Sequence, residues 1–471
     1  MARSSPNTDI SAGKMALSPR RLAAEVLIER EGALKYPPPL NHAVEDTIDK
    51  NRALAEKDRA LLRELVFGIT RNLTFLDWQI DALLASKNLP LWVRMQLRIG
   101  AYQIIFLKKV PAFAAVDQAV EAVKSSRYGW AKGLVNAVLR RLSEKWPHKS
   151  DGAQIHLEQI KNPAKRLAAE TSHPVWIVKR WIERYGAGRA NALCRWNNQR
   201  APLAIRVNTI RATRDEVIAR LNTAGINARP GLYASSAVVL ADYTGNPAKL
   251  PGWEEGLFRI QDEGAQMISL LLDPRPGETI LDTCAGLGGK TMHLAELMGD
   301  KGAIHAFDTH RGRLLTLEGE ARRLGLSSIK PASSLEMDCT VANQAGYDRI
   351  LVDAPCSGLG VIRRRPDIKW NRTAKDIESL GLTQFDILSK VSPLLKPNGR
   401  LVYATCTQEP EETAVVIQLF LERNPGWKTT PAGPILSGDA LDFVDKDGFV
   451  TIKPKPDGPD LFFCAILSAP C

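Results

Sequence analysis

The second half of the chain alternates short apolar runs with helical stretches, and this alternation restricts the fold more than any other feature. After Asp273-Pro274-Arg275-Pro276-Gly277, strand-like runs occupy Thr279–Asp282, Ala303–Asp308, Ile329–Pro331, Arg349–Asp353 and Gly399–Ala404. Strands separated by helices pair in parallel, because each crossover carries the chain back to where the next strand starts. The expected core is a doubly wound parallel sheet of the α/β class, with helices on both faces. Ligands in such sheets sit beyond the carboxyl ends of the strands. Two thiols fall there. Cys356 follows Asp353 in the stretch DAPCSGLGVIRRRPDIKW, residues 353–370, and Cys406 follows the run Leu401–Thr405. A further strand at Leu461–Leu467 is expected to close the sheet.

Upstream, the periodicity changes. Asp58–Gln79 places Leu61, Leu62, Leu65, Val66, Ile69, Leu73 and Leu76 at helical spacing. Trp92–Leu107 and Val116–Leu142 repeat that character, and Pro37-Pro38-Pro39, Pro90 and Pro111 punctuate it. Residues 16–145 therefore read as a helical bundle with basic edges at Arg127, Lys132, Arg140 and Arg141. Residues 146–202 read as a helical linker in which Trp176, Trp181 and Trp196 pack. A small α/β subdomain is expected over 203–262, with strands at Ile205–Asn208 and Val238–Leu240 around a helix at Thr213–Ala224. Residues 263–471 form the sheet domain, and the polar residues 1–15 are expected to be a disordered lead-in. A length of 471 residues suits about three domains of roughly 150 residues each.

The composition narrows the setting. With 44% hydrophobic and 24% charged residues the chain reads as an ordinary globular protein. It has no apolar run near the ~18 residues a membrane span needs and no apolar h-region of a secretory signal. A formal charge of +11 fits a polyanionic partner about as well as a plain solvated surface. Seven cysteines, without a CxxC or a Cys/His cluster at zinc spacing, suggest free thiols in a reducing cytoplasm and no metal.

The stretch Glu278–Leu294, ETILDTCAGLGGKTMHL, is strand, glycine loop and helix. A phosphate-binding P-loop would need Gly where Cys284 stands. A dinucleotide fingerprint would need Gly where Thr291 stands. S-adenosylmethionine fits better: its amino-acid part lies against a glycine loop, and its ribose needs a carboxylate after the second strand. Asp308 supplies one, and Asp338, after the third strand, is a candidate for the adenine or ribose edge. The cofactor's methyl group needs a nucleophile. Pyrimidine C5 becomes one when a thiolate adds at C6, a covalent route that splits one hard step into easier ones. Such a route requires a nucleophilic cysteine, a partner for the base at N3 and a means of releasing the adduct. Asp353 suits N3 if it carries or shares a proton. Either Cys406 or Cys356 suits the attack. The remaining cysteines, Cys194, Cys284, Cys339, Cys464 and Cys471, read as inert, the usual condition of a free thiol.

These blocks resemble the Sun/RsmB type of RNA cytosine-C5 methyltransferases. LDTCAGLGGKT, DAPCSGLGVIRRRPDIKW and YATCTQEPEE carry the resemblance, with RVNTIR at 206–211 and GLFRIQDEGAQ at 256–266. It spans nearly the whole chain. It departs at Gly286-Leu287, where the family usually carries Ala-Pro, and at Thr407, which replaces a common Ser. The resemblance implies a Rossmann-like methyltransferase core, an all-α NusB-like RNA-binding domain at the N-terminus and a small α/β subdomain. It implies that Cys406 is the nucleophile and that Cys356 assists release. Cys284, Ala285, Gly286, Leu287, Gly288, Gly289 and Lys290 would line the cofactor site with Asp308, Asp338 and Asp353. The implied substrate is 16S ribosomal RNA in a bacterial cytoplasm, and the expected state is a monomer. The rival expectations are the same chemistry on tRNA or another RNA, and a non-catalytic RNA-binding factor of ribosome assembly. Arg363-Arg364-Arg365 is expected to position phosphates, and Trp370 to pack rather than stack on a base.

Overall fold

The computed structural model describes residues 18–32, 38–146, 157, 160–240, 242–333 and 346–470. Asp338, Cys339, Cys471 and the 1–15 lead-in lie outside them. The chain divides into two compact units.

The first unit runs to Asn198 and takes in Arg365–Asn371 from far along the sequence. Its helices are α1 (Pro19–Glu31), α2 (Leu40–Lys50), α3 (Glu56–Arg71), α4 (Leu73–Asp81), α5 (Leu91–Phe106), α6 (Ala112–Lys124), α7 (Lys132–Lys145), α8 (Pro163–Thr171) and α9 (Val175–Asn198). The apolar stripes of α1–α7 close one core around Leu62, Leu65, Val66, Ile99, Val135 and Leu139. Trp181 and Trp196 of α9 are buried.

The stretch Asp58–Gln79, whose helical spacing runs on without interruption, is divided between α3 and α4. The break is at Asn72, whose side-chain amide donates to the carbonyl of Gly68 at 2.9 Å. The Ser172 hydroxyl accepts from the Thr74 N–H at 2.8 Å. Each new helix end thus finds a side-chain partner for groups that an unbroken helix would have paired internally.

Arg365–Asn371 is held by buried polar contacts within this unit. Asp367 accepts from the Leu40 N–H at the start of α2 and pairs with Arg30 at 3.2 Å. Lys369 is fully buried and donates to the carbonyl of Arg71 at 2.9 Å, and the Trp370 indole donates to the carbonyl of Thr70 at 2.7 Å.

The second unit comprises Gln199–Arg364 and Arg372–Cys471. Strands β1 (Leu203–Val207), β2 (Arg229–Pro230), β3 (Ala237–Leu240) and β4 (Phe258–Ile260) form an antiparallel sheet in the order β2-β3-β1-β4, packed on helix α10 (Arg214–Thr223). The larger sheet follows. Its strands are β5 (Thr279–Asp282), β6 (Ala303–Phe307), β7 (Ile329–Ala332), β8 (Tyr347–Asp353), β9 (Leu395–Thr405), β10 (Lys428–Thr430), β11 (Val450–Thr451) and β12 (Phe463–Ser468).

The order is β10-β12-β9-β8-β5-β6-β7, with β5 to β9 parallel and β12 antiparallel to β9. The sheet is therefore mixed, and the expected closing strand lies inside it because β10 takes the edge. Helices α11 (Glu263–Leu272), α12 (Gly289–Leu297), α13 (Arg311–Leu324), α14 (Ala374–Val391) and α15 (Ala414–Arg423) belong to this unit. The strand order reverses between β5 and β8, and a crevice opens at such a switch point. No helix among the described residues is long and apolar enough to cross a membrane.

Candidate active site

Four strand ends build the site. After β5 the chain turns through Thr283–Gly288 into α12. Gly286 and Gly288 both adopt positive φ, 56° and 77°, which a side chain would strain. Gly288 is packed against Leu317 and Met292, whereas a Cβ added at Gly286 would meet nothing nearer than 4.0 Å. The loop is thus tight on its helix side and open on the other. Asp308, after β6, ties it down: one carboxylate oxygen accepts from the Gly286 N–H at 3.1 Å and the other from the His310 N–H at 2.7 Å. Asp282, at the end of β5, is buried and accepts from the Thr291 hydroxyl at 2.7 Å. Burial raises its pKa to about 6.

At the end of β8, Asp353 pairs with Lys290 from the first turn of α12 at 2.6 Å. Burial works against the Lys290 ammonium, but Asp353 and then Cys406 favour it more, and its pKa is raised. Lys290 also sits 5.6 Å over the ring of Phe462.

The two thiols, from the ends of neighbouring parallel strands, meet: Cys356 Sγ and Cys406 Sγ are 3.2 Å apart. The hydrogen bond between the two sulfurs, followed by burial, raises the Cys356 pKa well above the ordinary thiol value. Gly360 lets the strand-end loops approach. Its N–H donates to the carbonyl of Cys406 at 3.0 Å, and a Cβ there would collide with the backbone of Leu461 and Cys406. Cys284 lies in the loop with its thiol pushed up to about 12 by burial, while Cys194 and Cys464 are buried. No cluster of potential metal ligands occurs among the described residues.

Cys284–Lys290, Asp308 and Asp353 thus surround one strand-end crevice with Cys356 and Cys406. The donor set suits a cofactor carrying an ammonium, a carboxylate and a diol. Asp308 and Asp353 offer acceptors, Lys290 a cation, and the loop a face that a side chain at Gly286 would obstruct.

The three arginines do not have the expected role. Arg363 is buried and donates to the carbonyl of Gly458 at 2.8 Å. Arg364 bridges Asp460 at 2.6 Å and Asp262 at 2.7 Å, and Arg365 pairs with Asp367 at 3.3 Å. These carboxylates lie up to about a hundred residues away, which is why a local reading takes the run as a free charged edge.

Other participants escaped sequence reasoning. Arg206 of RVNTIR, fully buried, forms a double contact with Glu296 of α12 at 2.7 and 2.8 Å and donates to the carbonyl of Gly289 at 2.8 Å. Gln384 sits on the buried face of α14 with Ile377, Gly381 and Leu388. A polar residue on an apolar stripe was the available signal.

Comparison with known proteins agrees with this architecture. The family described as 16S rRNA methyltransferase RsmB/F matches residues 269–468, the NusB family matches 17–144, and a ferredoxin-like domain of RsmF/B-type methyltransferases matches 173–245. The chain is 35% identical over 451 residues to a probable ribosomal RNA small subunit methyltransferase B of Bacillus subtilis, covering 95% of this chain and 97% of the relative. It is 37% identical over 439 residues to ribosomal RNA small subunit methyltransferase B of Salmonella arizonae, covering 90% and 96%. A solved methyltransferase homologue from Pyrococcus horikoshii aligns with TM-score 0.56 at 28% identity, over 66% of this chain and 100% of its own. With relatives this similar along their whole length, a glycine-loop crevice on a Rossmann-like sheet and a NusB-type helical unit, this chain belongs to the RsmB/F family of 16S rRNA methyltransferases.

Proposed function

We propose that this protein transfers a methyl group from S-adenosylmethionine to C5 of a cytosine in 16S ribosomal RNA through a covalent adduct between Cys406 and C6. The observation that carries the reading is the pair of sulfurs 3.2 Å apart at the ends of β8 and β9, beside Asp353 and Lys290. When bound, the cofactor supplies an electrophilic methyl group. The protein's own part is to turn C5 into a nucleophile.

Cys406 attacks C6 as the nucleophile. Cys356, whose thiol holds its proton in this setting, neighbours that sulfur and assists release: solvent water or another base takes the C5 proton, the C–H electron pair re-forms the C5–C6 double bond, and the Cys406 sulfur leaves C6 with its bonding pair. Asp353 faces N3. N3 is an acceptor, so this contact requires a proton donated to it from the Asp353 carboxyl. Asp308 and the glycine loop hold the cofactor. The target cytosine must be flipped or single-stranded, because a thiolate reaches C6 only from the face of the base. The substrate assignment rests on what the relatives' names state and on the +11 charge.

The test is methyl transfer from labelled cofactor to 16S RNA, followed by bisulfite sequencing of the product. Cys406→Ala is expected to abolish the label, and full activity would remove the nucleophile assignment. Cys356→Ala is expected to accumulate a covalent protein–RNA complex that survives denaturation. Normal turnover without that complex would remove its role in release. A labelled base other than cytosine, or label confined to another RNA, would reassign the substrate.

A further inference from the structure

We propose that Glu412 is a positioning residue that holds the two thiol-bearing loops in register, acting with Gln384 and Tyr403. The inference rests on the reading of Cys406 and Cys356 as the reacting pair.

Cys356 is flanked by Pro355 and Ser357, and both flanking residues are anchored to this group. One oxygen of the fully buried Glu412 carboxyl accepts from the Ser357 N–H at 2.7 Å and from the Gln384 amide at 3.1 Å. The same amide nitrogen donates to the carbonyl of Pro355 at 2.9 Å. On the Cys406 side, the Tyr403 hydroxyl lies 2.7 Å from the backbone carbonyl of Glu412 and 2.9 Å from the Gln384 side-chain oxygen. The hydroxyls of Ser357 and Thr407 join the loops directly at 3.1 Å.

The Ser357 contacts join the loop after β8 directly to the segment after β9, and Gln384 of α14 and Tyr403 of β9 brace both from the side. None of these hydrogen bonds is made to either sulfur, so what they fix is where the sulfurs sit. The hydrogen bonds to the Glu412 side chain converge on one oxygen, and the second, also buried, has no partner. Burial pushes the carboxyl pKa upward. A neutral side chain offering one acceptor oxygen therefore meets the same need, which makes Glu412→Gln the conservative variant.

The geometry can be read without any methyl transfer. Diamide oxidises two adjacent thiols to a disulfide: both S–H bonds break, one S–S bond forms, and the two protons and two electrons reduce its N=N bond to a hydrazine. The Cys356–Cys406 peptide pair, found by mass spectrometry, reports how readily the sulfurs meet.

In the full-length protein, Glu412→Ala is expected to slow this bridging and to lower kcat by on the order of 100-fold, the loss typical of an ångström-scale misplacement. KM for S-adenosylmethionine should stay unchanged. Glu412→Gln should retain most of both. Wild-type bridging in Glu412→Ala, or a Gln variant as impaired as the Ala variant, would overturn the proposal. If Glu412→Ala fails to fold, Gln384→Ala decides, since unaltered bridging there overturns the proposal too. The chemical reading fails separately: an active Cys406→Ala would discard it whatever the bridging rates show.

Discussion

At the scale of single residues, the largest energies lie in charges taken out of water. Arg206 and Glu296 are both essentially unexposed. Neither ion pays its desolvation alone, but together, with the carbonyl of Gly289, they do. Arg206→Met would strand the Glu296 carboxylate and is expected to cost about 3–5 kcal/mol in urea unfolding. Changing both residues to methionine should restore much of that loss. The single variant should also raise KM for S-adenosylmethionine, because the same guanidinium holds the first residue of α12. An unchanged unfolding midpoint would show that the pair is dispensable.

The thiols, the glycine loop and Asp308 were legible in the sequence because each is announced locally, by a strand that ends and a turn that begins. The partners of Arg206, Arg364 and Glu412 were not. A buried ion pair between distant segments has no periodicity, and each of its members looks like an ordinary surface charge.

Among elements, strands β5, β6, β8 and the second half of β9 follow their apolar runs closely, since burial on both faces leaves little freedom in what such a strand can contain. Short pieces such as β2, β10 and β11 carry too few residues for a pattern, and tertiary pairing alone forms them. Helix α14 meets the turn at Pro410–Glu412 at Gly381, where a Cβ would run into the carbonyl of Glu411. Gly381→Ala should therefore force the helix and the turn apart, costing about 1–3 kcal/mol and slowing methyl transfer at saturating cofactor. A fully active alanine variant would mean that the helix shifts without disturbing the strand-end loops. The split of α3 from α4 was invisible to periodicity because the apolar spacing continues across Asn72, and the break is set by hydrogen bonds that spacing does not report.

For the whole molecule, each unit encloses a histidine that must stay neutral. His173 in the helical unit and His293 in the sheet unit are buried, and burial, followed by nearby Lys369 and Arg206 respectively, holds each pKa well below 6.5. Both rings bind a proton in the unfolded chain before they do in the folded one. Their stabilising effect is complete above pH 6.5 and is lost as pH falls below it, by about 1.4 kcal/mol per pH unit for each histidine. Urea unfolding between pH 7.5 and 5.5 should show that slope. His293→Asn should flatten it for the sheet unit alone, and a slope unchanged by the substitution would assign the acid sensitivity elsewhere.

The helical unit is not a continuous stretch of sequence. Lys369, which fills its interior, is made roughly 170 residues after Asn198. At translation rates of about 5–20 residues per second, that delay is on the order of 10–30 seconds. During that interval the carbonyl of Arg71 and the side chain of Asn198 await a partner still being synthesised. The first unit to leave the ribosome is thus completed only when the block carrying Cys356 has been made.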